Sequence, residues 1–166
     1  MIYYRFRGGK DFKDVWNGPT AFQAGYVDSS SQTVDSTNTK VKCQSNSLYP
    51  VGFDNGGYYA APSGRYWQPA QVCSVRIEWS IQVVTDGTDF YTRLYYCSTG
   101  GSMQSIAATL VNTTSSGTYS GSVVIALDNT TNQKGLAFSV QTPFGNATVH
   151  GSPTTGTTTF WRGYII

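Results

Sequence analysis

The chain has 166 residues, of which 14% are aromatic and only 12% are charged, and its formal net charge is +2. This length suits one domain, which at this size buries roughly 70% of the surface exposed by the unfolded chain. The near-neutral charge gives no support for nucleic-acid or membrane-surface binding, and no stretch approaches the ~20 apolar residues of a membrane span. Abundant Ser, Thr and Tyr are typical of an all-β protein with many turns.

The amino-terminal segment is basic. The break "NGP" at 17–19 follows it, so we expect residues 1–19 to form an arm that attaches the protein to an acidic partner, and residues 20–166 to form the folded domain. A solvated terminus or first strand is the alternative. No apolar run follows "MIYYRFRGGKDF", which predicts synthesis in a cytosol without a secretory signal. The candidate attachment residues are Arg5, Arg7, Lys10 and Lys13.

Short apolar segments bounded by Gly, Ser, Asn and Thr recur along the chain. The clearest is "VCSVRIEWSIQVV" at 72–84, whose strict alternation predicts a strand with one buried face. The polar stretch 28–39 is predicted to be a long surface loop. Short strands with regular turn signals favour a two-sheet sandwich or a barrel. The other predicted strands are 20–27, 39–44, 90–98, 105–112, 119–127, 134–142 and 158–166.

No set of residues suited to catalysis is visible. His150 is the only histidine and stands at a predicted strand end, which favours a surface role over a catalytic one. Asp86 and Asp89 share one turn and are weak calcium candidates, because Asp in a Gly-containing turn needs no metal. The sequence therefore predicts a non-enzymatic protein without a cofactor.

The three cysteines, Cys43, Cys73 and Cys97, lack the close spacing of a zinc site. Their odd number favours free thiols and a reducing place of synthesis, with one disulfide plus one free thiol as the alternative. Cys73 lies on the apolar face of its predicted strand, where a free cysteine acts as a small hydrophobe. We expect Cys73 and Cys97 to be unpaired.

Residues 53–70, "FDNGGYYAAPSGRYWQPA", place aromatic residues and prolines between glycine-marked turns. This order resembles the globular head of the first complement component, in the tumour-necrosis-factor-like jelly-roll superfamily. "AFQA" at 21–24 is similar to the first strand of that family, "SGSVVIAL" at 120–127 to its Ser-Gly-Ser strand, and "WRGYII" at 161–166 to its closing strand. The resemblance covers residues 20–166 and implies a two-sheet antiparallel jelly-roll sandwich that assembles as a trimer.

The last predicted strand presents two apolar faces. One face, with Trp161 and Gly163, is predicted to enter the core. The other needs a second cover, because at ~25 cal/mol per Å² two or three large side chains left in water cost several kcal/mol. We predict that it forms the interface of a cyclic trimer, in which Arg162 meets a carboxylate or carbonyl of a neighbouring subunit. The predicted interface residues are Phe160, Arg162, Tyr164 and Ile166.

Heads of the kind implied by this resemblance also occur on phage and viral fibres and on capsids. The sequence therefore predicts a virion structural protein, made in the host cytoplasm, that serves as a trimeric head fibre, capsid decoration or spike subunit and contacts other virion proteins. The alternative is a module that recognises a glycan or protein on a host cell surface through its trimer tip. An enzyme is disfavoured, because no activated nucleophile or acid pair is visible.

Overall fold

The structure is a computed structural model that describes residues 22–26, 31–43, 53–54, 59–60, 65–69, 72–152 and 158–166. Within these ranges the chain forms β-strands and no helix, and therefore no helix that could cross a membrane. The strands are β1 (Phe22–Gly25), β2 (Gln32–Val34), β3 (Thr39–Lys40), β4 (Phe53–Asp54), β5 (Tyr59–Ala60), β6 (Tyr66–Trp67), β7 (Cys73–Thr85), β8 (Phe90–Cys97), β9 (Met103–Thr113), β10 (Gly117–Leu127), β11 (Gly135–Gln141), β12 (Ala147–His150) and β13 (Phe160–Ile165).

The strands form two antiparallel sheets. In the first sheet, β10 pairs along one side of the long strand β7, while β13 and β12 pair with successive parts of its other side. The first sheet continues from β13 to β1 and β4, and from β12 to β2. The second sheet has the order β5-β6-β11-β8-β9, and β3 also pairs with β11. The predicted all-β architecture of two antiparallel sheets is confirmed.

The core lies between the two sheets and follows the alternation of the sequence. On β7 the odd-numbered residues from Val75 to Val83 are buried, as predicted from 72–84. The ring of Phe22 contacts Trp161 edge-on, with centroids 4.6 Å apart, and stacks on Trp67 at 4.8 Å. Trp67 comes from the aromatic stretch 53–70, so part of that stretch supplies the core.

Gly163 permits the close approach of β13 to its neighbours. A Cβ atom at this position would lie 2.6 Å from Cδ1 of Ile77 and 2.8 Å from Cε1 of Phe22. The missing side chain therefore makes room for two core side chains of the same subunit. This packing fixes the orientation of β13 and turns its alternate residues away from the core.

The prediction of a surface loop over 28–39 is wrong, because β2 lies within it and β3 begins at its end. Gln32 and Val34 both point inward and are buried. The amide of Gln32 donates from Nε2 to the carbonyl of Lys40 (3.0 Å), and its Oε1 accepts from the N–H of Lys42 (2.9 Å). A buried amide with both groups bonded is compatible with a strand, even in a segment of polar composition.

Candidate functional site

The candidate site is the side of the first sheet that faces away from the core, which we call the β13 face. Strands β1, β13, β7 and β10 lie side by side there, and their register sets outward side chains in rows. The rows are Tyr164–Arg76–Val124, Gln23–Arg162–Glu78–Ser122 and Phe160–Ser80–Ser120. The structure thus places three of the four predicted interface residues on one surface.

The fourth predicted residue, Ile166, extends the same surface. Its backbone N–H donates to the carbonyl of Ser74 on β7 (2.9 Å), and its side chain is 61% exposed. Val124, across β7 on β10, is 56% exposed, while Phe160 and Tyr164 are half-buried. The β13 face therefore carries a set of large apolar groups in contact with water.

Arg162 finds its carboxylate within its own chain. Its Nε donates to Oε2 of Glu78 (2.7 Å), and a second nitrogen of the guanidinium contacts the same oxygen. The predicted partner from a neighbouring subunit stays a prediction, but the charge of Arg162 does not require it, because Glu78 of the same chain already neutralises the guanidinium. The physical reason is the register: Arg162 and Glu78 are directly opposite in the antiparallel β13–β7 pair, where cross-strand side chains are within reach.

The charges on the β13 face form a small network. Nε of Arg76 lies 3.6 Å from Oε1 of Glu78, so one carboxylate serves two arginines. The guanidinium of Arg162 also lies over the ring of Phe160, 5.8 Å from its centroid. The Arg162 and Glu78 side chains keep 32% and 21% of their surface exposed. A chain covering this face would therefore meet a carboxylate that is already paired.

Asp86, one of the two calcium candidates, joins two loops. Its Oδ1 accepts from Oγ1 of Thr88 (2.7 Å), and its Oδ2 accepts from the N–H of Asn146 (3.0 Å). These hydrogen bonds, that from the Thr88 hydroxyl above all, lower the pKa of Asp86. Asp89 is exposed, and among the described residues no group of three or more His, Cys, Asp or Glu side chains could hold a metal. Both oxygens of the Asp86 carboxylate are thus used in hydrogen bonds that connect the two loops.

The cysteines are thiols. Cys97 is buried and Cys73 is half-buried, and both are unpaired, as predicted. Burial raises the pKa of Cys97 to about 11, against the opposing effect of the nearby Lys40 ammonium, and burial also raises the pKa of Cys43. Buried, protonated thiols of this kind are poor nucleophiles.

The remaining predicted residues are His150 and the basic residues of the arm. His150 ends β12, and its Nε2 lies 3.2 Å from Oγ1 of Thr148. The arm 1–19 and its four basic residues Arg5, Arg7, Lys10 and Lys13 lie outside the described residues.

A second surface was missed at the sequence level. On β8 the residues Tyr91, Arg93 and Tyr95 point away from the core, and we call these three side chains the β8 platform. The guanidinium of Arg93 lies over the Tyr91 ring, 4.4 Å from its centroid, and Nη1 donates to Oε1 of Gln141 (2.9 Å). The sequence "FYTRLYYCS" already indicates this surface, because Tyr91, Arg93 and Tyr95 are two residues apart and residues two apart on a strand share a face.

The two sheets and their connections define a jelly roll of the tumour-necrosis-factor-like type, as predicted. A solved structure of this type, Eiger TNF from S. frugiperda, matches the chain with a TM-score of 0.53. The match covers 89% of this chain and 92% of that one, at 9% sequence identity, so the likeness concerns the fold alone. No protein-family profile and no curated protein sequence matches the chain.

Proposed function

We propose that this chain is a non-enzymatic structural head domain that functions as a homotrimer in a virion, as a head fibre, capsid decoration or spike subunit. The observation that carries the trimer is the β13 face, where large apolar side chains surround an ion pair that is closed within the subunit.

The apolar groups of the β13 face favour association. Val124 and Ile166 are mostly exposed, and Phe160 and Tyr164 are partly exposed, on one side of a rigid sheet. At ~25 cal/mol per Å², covering these four side chains in each subunit contributes several kcal/mol per interface. A strand face held by backbone pairing on both sides loses little conformational freedom when it is covered.

The Arg162–Glu78 pair makes this face suitable for burial. A buried ion with no partner is strongly destabilising, whereas a paired one is tolerated. Because Glu78 neutralises Arg162 within the subunit, the described charges of the β13 face leave one positive charge in excess, that of Arg76. The tumour-necrosis-factor-like fold supports three as the number of subunits.

The virion location is supported by the cysteines. Buried thiols suit a protein that folds in a reducing compartment, such as the cytosol in which phage and viral proteins are made. In this proposal the basic residues of the arm 1–19 dock the head to other virion proteins.

Three tests address the trimer, the location and the arm separately. Light scattering of Tyr164→Asp tests the trimer, because the substitution removes a large ring from the β13 face and places a carboxylate, with its desolvation cost, in the same row as the apolar Val124; we expect monomers or aggregates. The genes that flank this one test the location: capsid or fibre genes support it, and a neighbourhood of secreted-protein genes contradicts it. Deletion of residues 1–16 should leave the head folded but unable to join its particle.

A recognition module for a glycan or protein on a host cell is the second candidate function. The β8 platform favours it, because tyrosines and an arginine on a sheet surface are side chains that interfaces use for contact. This candidate is compatible with a place on a virion, since a fibre head can carry both functions.

A further inference from the structure

The β8 platform combines two features of a ligand site, namely half-buried aromatic rings at the surface and a fixed cation. From Tyr91 to Tyr95 the platform extends about 14 Å along the strand, which gives room for an oligomeric ligand. The register to β11 is continuous over these residues, whereas the register to β9 shifts between Thr92 and Arg93 and between Leu94 and Tyr95.

The cation of the platform is held in place. The Tyr91 ring lies against one side of the Arg93 guanidinium, and Gln141 accepts from its Nη1. Gln141 is held in turn, because its Nε2 donates to the carbonyl of Ser36 (2.8 Å). A guanidinium fixed in this way loses little freedom when it binds a planar anion such as a carboxylate.

Among the described residues, Arg93 has no carboxylate as a counter-ion. The ion pairs between described residues both use Glu78, which lies on the opposite sheet, and no described carboxylate is within 4.0 Å of Arg93. The Nε atom of Arg93 is shielded from solvent and has no hydrogen-bond partner. The platform therefore has an excess positive charge that a carboxylate from outside would neutralise.

The neighbouring strand adds polar groups of the right kind. On β9, Asn112 lies opposite Tyr91 and Thr109 lies opposite Arg93, and both side chains are exposed. Amide and hydroxyl groups exchange hydrogen bonds with hydroxyl-rich ligands. Ile106, opposite Tyr95 and 49% exposed, adds an apolar border.

We propose that the β8 platform binds a carboxylate-bearing saccharide. The carboxylate pairs with Arg93, the C–H face of a sugar ring packs on Tyr95, and sugar hydroxyls bond to Asn112 and Thr109. Tyr91 acts as a positioning residue, since its ring supports the guanidinium. This inference rests on the second candidate function and names its ligand class. In a trimer, three platforms would add avidity on a glycan-coated surface.

The test uses the full chain and titration calorimetry with four probes: 3′-sialyllactose, a hyaluronan tetrasaccharide, neutral lactose and a hexa-glutamate peptide. We expect one or both acidic saccharides to bind and lactose to bind at least about tenfold more weakly, as loss of a charge-assisted contact implies. The two acidic probes separate a sialic acid from a uronic acid as the source of the carboxylate.

Two variants assign the binding to the platform. Arg93→Gln should weaken the acidic saccharide about tenfold or more, whereas the matched control Lys134→Gln, which removes a positive charge from the turn after β10, should not. Asn112→Asp guards against a folding artefact, because it adds a repelling charge at an exposed position beside Tyr91; it should weaken binding of the acidic saccharide by a larger factor than binding of lactose.

Three outcomes would overturn the inference: no binding of either acidic saccharide at millimolar concentration, equal binding by lactose, or binding that Arg93→Gln and Asn112→Asp leave unchanged. Binding of hexa-glutamate alone, lost in Arg93→Gln, would identify an acidic protein segment as the partner and overturn the saccharide class. Light scattering on the same samples keeps these failures separate from a failure of the trimer.

Discussion

Replacing Glu78 by Gln should dissociate the trimer while leaving the subunit folded. The substitution keeps the shape of the side chain and removes the carboxylate that, among the described residues, contacts both Arg162 and Arg76 on the β13 face. Within an isolated subunit the effect is small, because a partly exposed ion pair contributes about 0–1 kcal/mol.

The cost is larger in the assembly, because two arginines per subunit would then be buried without the carboxylate that they share. Removing one partner of a buried pair costs about 3–5 kcal/mol. The Arg162 side chain is 32% exposed in the free subunit, so we take the lower end of this range of free-energy costs. About 3 kcal/mol per subunit corresponds to more than a hundredfold weaker association for each interface.

The assay is sedimentation velocity over a range of protein concentrations, with circular dichroism as the check on folding. The control exchanges the pair as Glu78→Arg with Arg162→Glu, which restores opposite charges across β7 and β13 and should recover part of the association. If the Glu78→Gln trimer had the same dissociation constant as the wild-type trimer, the reasoning that the Arg162–Glu78 pair makes the β13 face suitable for burial would be refuted.

Three further predictions concern stability and the thiols. Thr92 is buried between Val140 and Val111 with no hydrogen-bond partner for Oγ1 in the described structure, so Thr92→Val should stabilise the fold by about 1 kcal/mol, seen as a rise of about 2–4 °C in thermal unfolding; a lower midpoint would point to a hydrogen bond at this hydroxyl. Because the pKa of Asp86 is lowered in the fold, its stabilising effect is present at neutral pH and is lost as pH falls below the unfolded value of about 3.9; the wild type should therefore lose more stability on acidification than Asp86→Asn, and parallel pH profiles would contradict this. Cys97 should resist iodoacetamide at pH 8 until the protein is denatured, since burial raises its pKa to about 11, and mass spectrometry of rapid native labelling at this residue would contradict the burial.

Local patterns in the sequence predicted the fold well where a strand has one buried face. The alternation over 72–84 gave both the strand and its inward residues, because a period of two is a property of neighbouring residues alone. The polar stretch 28–39 misled for a physical reason: its buried amide, Gln32, is satisfied by backbone groups eight and ten residues away, which composition does not reveal.

The site was only partly predictable. The outward-facing residues of β13 could be inferred from the sequence, because they alternate with Trp161 and Gly163, which face the core. The partner of Arg162 could not, because the Arg162–Glu78 contact depends on a register between segments 84 residues apart. The β8 platform has a readable alternation, but the stacking of Arg93 on Tyr91 and its anchoring by Gln141 become evident only when β11 lies beside β8.

The oligomeric mass of the wild-type protein tests the central claim most directly. Light scattering coupled to size exclusion, at micromolar concentration and physiological salt, should give a single species with three times the mass of one chain. The result follows from the apolar groups of the β13 face and the closed Arg162–Glu78 pair that accompanies them. A monodisperse monomer under these conditions would contradict it, because the face would then be stable in water without a cover.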